Sequence, residues 1–340
     1  MEEVILKLNK KKFQLWNNFS LNLTLDSIDS LNFEAFSNSR DFLNELRPAT
    51  FSDIEVFINE EKIFTGKLIN RNCAISSRTI NFGGYSLPGV LNDLPVPFEA
   101  FPLEFLKQDL RQIAKKLADF YKIPVIFKNP PGRVFEEPVG MEPGEKILEF
   151  LVKLAQKREM LISNDVDGKL IFFTPGNSKI ITPLRQGEIP LQNLSFGSDE
   201  QQLFDNVTGL GASLLGRKPE AFTVKIPILG GLKRSYVYKV EEATGAELQK
   251  AVRLKAGRLL AGAFSVTATV SGWRNHQKNV WKPDDFVEIY APSVFFQRET
   301  KMMIRNITLN QSETGQSATL GLIFPEIYSG KLLQQLPWGD

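Results

Sequence analysis

The 340-residue chain has one cysteine, Cys73, and one histidine, His276. A lone cysteine excludes an internal disulfide and any zinc site built on several thiolates, and it fits a reducing compartment. A lone histidine excludes an H-E-x-x-H zinc helix, and no G-x-S-x-G nucleophile elbow occurs anywhere. Tyrosine is scarce (6) beside phenylalanine (26), so most of the aromatic mass suits burial. Charge of one sign is missing as well. The 41 Lys and Arg nearly cancel the 39 Asp and Glu, and the only basic block is the short "NKKK" from Asn9 to Lys12. That is not the basic face of a duplex reader. No run approaches the ~20 apolar residues of a membrane-spanning helix, so no membrane anchor is expected. The opening "MEEVILKLNKKK" puts its acids first, and its apolar run is too short for a secretory signal. What remains is ordinary for a globular protein with real cores: 42% hydrophobic and 24% charged residues. The length suggests two or three domains of ~150 residues.

Periodicity divides the chain. In "FSLNLTLD" the residues Phe19, Leu21, Leu23 and Leu25 alternate with polar ones, and "LNFEAFS" repeats this with Leu31, Phe33 and Ala35. A period of two predicts half-buried strands. "DIEVFINEEKIFTGKLIN" reads as a hairpin with Ile54, Val56 and Ile58 on one face and its turn near Asn59 to Lys62. "RTINFGGYSLPGVLNDLPVP" gives one more strand, broken at Gly83-Gly84 and Pro88-Gly89, with Pro95 and Pro97 marking a boundary. From Leu103 to Tyr121, apolar steps of three and four predict an amphipathic helix of about five turns. A short buried strand "KIPVIFK" follows, then a second helix bearing Ile147, Leu151 and Leu154. "LISNDVDGKLIFFTP" predicts a hairpin with a type I′ turn at Asp167-Gly168. Past Thr182 strands return. "KIPILGG" and "RSYVYKV" read as an exposed hairpin joined by Gly230-Gly231, and a helix follows with Leu248, Val252 and Leu259. Four strand-like segments then run to Pro325, and "SGKLLQQLPWGD" reads as a frayed or partner-bound tail. The expected class is α+β, mainly β. Strand-rich domains at 1–97 and 183–328 flank an α/β domain at 98–182. A helical insertion lies near 244–262 and a tail at 329–340.

Candidate sites are few. His276 lies in "SGWRNHQKNVWKPDD" between Trp273 and Trp281, with Asp284 and Asp285 the nearest partners for catalysis. Its neighbours are those of a solvated loop. Asp165 and Asp167 are spaced like the start of a calcium loop, but the remaining ligands are absent and a hairpin turn explains them better. Glu136 and Glu137, like Asp284 and Asp285, are adjacent. They do not supply two carboxyls facing each other across a glycosidase cleft. "GLGASLLG" from Gly209 to Gly216 lacks the Gly-Lys-Ser/Thr ending of a phosphate loop. The basic residues between Arg253 and Arg258 suit a solvated helix face or a docking face. The chain offers no catalytic, cofactor-binding or metal-ligating set.

Taken in order, several stretches resemble the baseplate hub proteins of contractile-tailed, Mu-like bacteriophages. Gly66, Gly84, Tyr85, Ser86, Leu91 and Asp93 carry the likeness to that family's opening barrel. The segment "EPGEKILEFLVKLAQKREMLISNDVDGKLIFFTP" is similar to its helix-plus-hairpin, and Gly272, Trp273, Trp281, Pro283 and Pro325 fall as in its last barrel. The family usually has Gly where this chain has Asp284 or Asp285. The resemblance implies a homotrimer in the virion tail, assembled in the bacterial cytoplasm. Each subunit would contribute two tube-type β-barrels. It also implies a hexameric tail tube and a trimeric central spike as partners, with baseplate wedge and tape measure proteins, and DNA passing without sequence-specific binding. A phage-derived injection particle fits equally. The rival classes are a tail-associated cell-wall or glycan hydrolase and a host-surface-binding module, the latter resting on an exposed Trp281. Deleting the tail after Tyr328 is expected to affect attachment more than folding.

Overall fold

The computed structural model describes residues 2–14, 16–36, 46–75, 78–211, 219–229, 231–240, 245–312, 315–329 and 331–338. The chain divides into two compact units, residues 1–175 with 306–318 and residues 176–305 with 319–340. Strand makes up 45% and helix 19%, so the mainly β class holds. Among the described residues no helix is long and apolar enough to cross a membrane.

In the first unit, β1 (Val4–Leu8), β2 (Lys11–Phe13), β3 (Trp16–Thr24), β4 (Ser30–Phe36), β5 (Asp53–Ile58), β6 (Glu61–Cys73) and β7 (Thr79–Ser86) form one sheet. They pair antiparallel in the order β3–β4–β7–β6–β5–β1–β2. Alternation delivers the core: Leu21, Leu31, Ile54, Val56 and Leu68 are fully buried. "VILKL", weighed above only against a secretory signal, is β1, with Val4, Leu6 and Leu8 turned inward. The β5–β6 turn falls where expected, with Asn59 in the left-handed region at φ 54°, a conformation Asn tolerates better than most residues.

An α/β module follows in the same unit. It holds α1 (Val90–Asp93), α2 (Leu110–Asp119) and α3 (Ile147–Gln156). Its strands are β8 (Glu104–Phe105), β9 (Val125–Phe127), β10 (Val139–Gly140), β11 (Leu161–Asn164) and β12 (Leu170–Phe173). Helix α2 is shorter than its apolar spacing predicts. Lys107 takes φ 51°. Asp109 then starts the helix with a capping box, accepting from Gln112 N at 2.8 Å while its own N–H donates to Gln112 Oε1 at 2.9 Å. Leu103 and Leu106 therefore lie outside the helix, and Leu106 is 55% exposed. Strand β9 is only half-buried, because Ile126 faces outward. The β11–β12 turn is also longer than the expected two-residue type I′. Asp165 N bonds to Lys169 O, and the Asp165 carboxylate accepts from the backbone of Asp167 and Lys169. Gly168 alone of the loop residues takes positive φ. Behind the strands, Phe105, Ile113, Leu117, Phe150, Leu151 and Phe172 form the module's core.

The second unit starts with β13 (Ile181–Arg185), β14 (Leu191–Ser198), β15 (Asn206–Leu210), β16 (Ala221–Lys225) and β17 (Ser235–Lys239). Helix α4 (Gly245–Gly262) follows, then β18 (Phe264–Ser271), β19 (Phe286–Ala291), β20 (Phe296–Ser312), β21 (Gly315–Ile323) and the short α5 (Glu326–Ser329). Residues 306–318 of β20 and β21 belong to the first unit, where Asn306–Gln311 pairs with β3. Strand β14 is antiparallel to β18, and β13 is parallel to β19. The expected hairpin between "KIPILGG" and "RSYVYKV" does not form. Strands β16 and β17 instead flank β15, the first antiparallel and the second parallel, in a separate three-stranded sheet. Its helix α4 buries Leu248, Val252, Ala256 and Leu260 at four-residue steps.

Candidate functional site

The histidine loop is built as a turn packed from inside. Strand β18 ends at Ser271, Gly272 takes φ 73°, and Trp281 N donates to Trp273 O at 3.0 Å to close the loop. Both tryptophans are fully buried, so they anchor the loop from inside. The exposed Trp281 on which a surface-binding module rested is thereby corrected. Asn275 folds the tip: its side-chain oxygen accepts from Gln277 N and Asn279 N. His276 is exposed, with Nδ1 2.9 Å from Thr182 Oγ1.

The two aspartates have separate structural partners. Asp284, one of the two positions compared with a family glycine, takes φ 76°, the conformation that favours glycine. Its carboxylate accepts from Gly176 N, which ties the turn to a distant segment of the chain. Asp285 is buried and accepts from Ser178 Oγ at 2.6 Å. Burial raises its pKa, against the opposing Ser178 bond.

The other candidates scatter. Asp167 pairs with Lys62 at 2.7 Å, and that bond lowers its pKa. Glu136 and Glu137 are exposed. Gly209 lies in β15 against Val252 of α4, while residues 212–216 of the glycine-rich stretch fall outside the described residues. Within α4 the basic residues cover rings: Arg253 lies 5.8 Å from the Phe222 ring, and Lys255 lies 5.4 Å from Tyr236. An open groove of about 550 Å³ by Pro95, Pro97, Phe98, Phe101, Tyr121 and Pro143 has no carboxylate among its lining residues. Among the described residues no group of three or more His, Cys, Asp or Glu could hold a metal ion.

The segment around Gly66 to Asp93 is a packing device. A Cβ on Gly66 would sit 2.1 Å from Tyr85 O, so only glycine lets β6 and β7 approach there. Tyr85 OH donates to Asp93 Oδ2 at 2.5 Å, and Ser86 Oγ donates to Thr65 O at 3.1 Å.

Two features differ from, or are absent in, what the sequence suggests. The first is a buried interlock inside the first unit. Asp29 N donates to Asn164 Oδ1 at 2.8 Å, Asn164 Nδ2 donates to Asp29 Oδ2 at 2.9 Å, and Ser163 Oγ donates to Thr24 O at 2.8 Å. Burial pushes the Asp29 pKa up to about 7. The second is the C-terminal segment, which is docked rather than frayed. Trp338 lies 5.3 Å from Phe196 and 5.5 Å from Phe264, ring to ring, and Pro337 O accepts from Gln297 N at 3.2 Å. Neither left a local periodicity to read. The "PW" of the tail was the only hint.

Two separate stretches of this fold match known families. Residues 99–174 match "Baseplate hub protein gp44-like, second domain", and residues 244–331 match "Mu phage baseplate assembly protein GpP, fourth domain". The chain thus carries two stretches that match domains of phage-tail baseplate proteins. More particularly, its fold is that of Mu-like prophage tail proteins. The 43 kDa tail protein of prophage MuSo2 from Shewanella oneidensis is 22% identical, over 96% of this chain and 99% of that one, with TM-score 0.82. A tail protein from Neisseria meningitidis MC58 is 20% identical over 97% and 98%, with TM-score 0.79. The E. coli c3393 protein, a component of the type VI secretion system, is 12% identical over 98% and 80%, with TM-score 0.56. At these identities the likeness is one of fold. Comparison with curated protein sequences gives no match.

Proposed function

We propose that this chain is the subunit of a homotrimeric hub that joins a hexameric tail tube to a trimeric central spike and leaves a channel for DNA. The observation that carries the reading is the pair of hub-domain matches at 99–174 and 244–331, in a chain whose fold corresponds almost end to end to whole prophage tail proteins. On this reading, strands of residues 1–97 and 183–328 supply two tube-type barrels per subunit, so three subunits present six. Spike, tube, wedge and tape measure proteins are its partners, and its role is structural rather than enzymatic. A hub in a phage-derived injection particle is the second form of the same reading, supported by the likeness to the type VI secretion component.

Light scattering on the purified protein, with negative-stain imaging of the same peak, tests the proposal. A particle of three times the 38.4 kDa chain mass with a central hole is expected. A monomer that also clears labelled cell walls would overturn it.

A further inference from the structure

The α/β module leaves an apolar groove open to water at one end of its helix pair. Its walls include Pro97, Phe98, Phe101, Tyr121 and Pro143, and Phe98 is 85% exposed. Tyr121 follows the C-terminal end of α2 and donates to Pro95 O at 2.8 Å, while Pro95 bridges to Lys146, the residue before α3. The groove therefore lies where α2 ends and α3 begins. At the opposite end the chain runs "KNPPGR" from Lys128 to Arg133. Phe135 N donates to Gln108 O at 2.9 Å, just ahead of α2. A Cβ on Gly132 would come within 2.8 Å of the Arg158 side chain, just past α3. The ten residues of α2 put about 15 Å between the two ends.

Each end has what the other lacks. Prolines fix φ and hold the residue before them extended, so Asn129–Pro130–Pro131 is a ready-made extended segment with little ordering left to lose. It is braced from behind. Gly132 turns the chain at φ 82°, and the Arg158 guanidinium, 4.1 Å from the Phe135 ring, donates to Val134 O at 3.3 Å. Pro130 itself is exposed. Aromatic-lined grooves are what such proline segments dock into. Charge agrees, since Lys128 and Arg133 flank the prolines. Beside the groove Glu145 pairs with Lys153 and Lys146 with Glu149, which leaves the exposed Glu99 and Glu142 against a single lysine, Lys122. We infer that the groove of one copy receives the Asn129–Arg133 segment of the next copy, α/β module to α/β module. A contact between opposite ends is heterologous, and it closes into a ring when the rotation between copies allows. So short a segment buries less than the roughly 1,000 Å² of a self-sufficient interface, so the contact joins copies that a ring already gathers. The inference rests on the hub reading for that ring.

The test uses the full chain carrying Cys73→Ser, Pro97→Cys and Pro130→Cys, treated with a bis-maleimide too short to span one module. Both single-cysteine chains are treated beside it, and melting with the wild type checks that all three fold. The double-cysteine chain should give covalent dimers and trimers on a denaturing gel, and the single-cysteine chains should give neither. Phe98→Ala, with no cysteine added, should raise the concentration at which the trimer dissociates by roughly tenfold or more, the worth of one buried aromatic. A trimer by light scattering whose double-cysteine chains stay uncoupled would overturn the inference and leave the hub intact, with the groove open to another protein's segment. Coupling by Pro97→Cys alone would overturn it as well, because the groove would then meet its own copy across a two-fold axis. A chain that stays monomeric, with nothing coupled, would also overturn it. Only if that monomer cleared labelled cell walls would the hub reading fall with it.

Discussion

The chain contains the same small architecture twice, and the two copies are buried to different depths. In the first unit, β12 lies between antiparallel β11 and parallel β9; in the second, β15 lies between antiparallel β16 and parallel β17. All four residues of β12, "LIFF", are buried, and Phe172 stacks on Phe127 at 4.4 Å. Strand β15, "NVTGL", buries only alternate residues, and Thr208 meets Thr223 at 2.8 Å on its open side. Pairing geometry therefore does not set the strength of such a sheet. The number of its faces covered by apolar groups does.

The sharpest way to break this comparison is to truncate the buried centre of the first sheet and the open flank of the second. Phe172→Ala should cost about 3–5 kcal/mol, the usual range for a large aromatic truncated in a core. Val237→Ala, at a 59% exposed position of β17, should change stability by no more than about 0.5 kcal/mol. Denaturant titration with hydrogen exchange read separately in each unit would check this. Equal losses would mean that the second sheet is buried by something its own unit does not supply.

A smaller effect in the first unit depends on pH. Asp29 has a folded pKa of about 7 against 3.8 ordinarily, so the folded state holds the extra proton between those values. Its contribution to stability is present below about pH 4 and is lost as pH rises to about 7, by at most about 4 kcal/mol. The melting temperature of the first unit should therefore fall across that window. In Asp29→Asn, which has nothing to titrate there, the slope should flatten. A slope that survives the substitution would place the titration elsewhere.

What the sequence made legible follows the same division. Period-two strands and apolar stripes are local signals, so β3 to β7, α2 and α3 could be read, apart from the start of α2, where the Asp109 cap overrides the Leu103–Leu106 spacing. The partners of β16 and β17 could not. The strand between them in space, β15, precedes both in the chain and is too mixed in polarity to stand out. The exposed place of His276 on a loop was legible from its neighbours in the sequence. The left-handed Asp284 was not visible as such, because the likeness left the departure from glycine at either Asp284 or Asp285. The Asp29–Asn164 interlock joins residues 135 apart, and no pattern along the chain marks it.

The docked tail gives the smallest expected effect, and it reverses what the sequence suggested. If the second unit's small sheet is thinly covered, its apolar burial has to come from elsewhere, and the aromatic cluster of Phe196, Phe264, Phe295 and Trp338 is one such place. Trp338 supplies edge-to-face contacts to three of those rings, and Arg298 Nη1 ties the same segment down by donating to Gln335 Oε1 at 2.9 Å. Deleting the chain after Tyr328 uncovers that cluster and should cost the second unit about 2–3 kcal/mol, the worth of one large side chain taken out of water together with its ring contacts. Trp338→Ala alone should reproduce most of the loss, whereas Gln335→Ala should reproduce little, since an exposed polar contact contributes under about 1 kcal/mol. Thermal melting of the three variants beside the full chain decides it. A truncated protein that melts with the full chain would return the tail to the role of a free attachment segment.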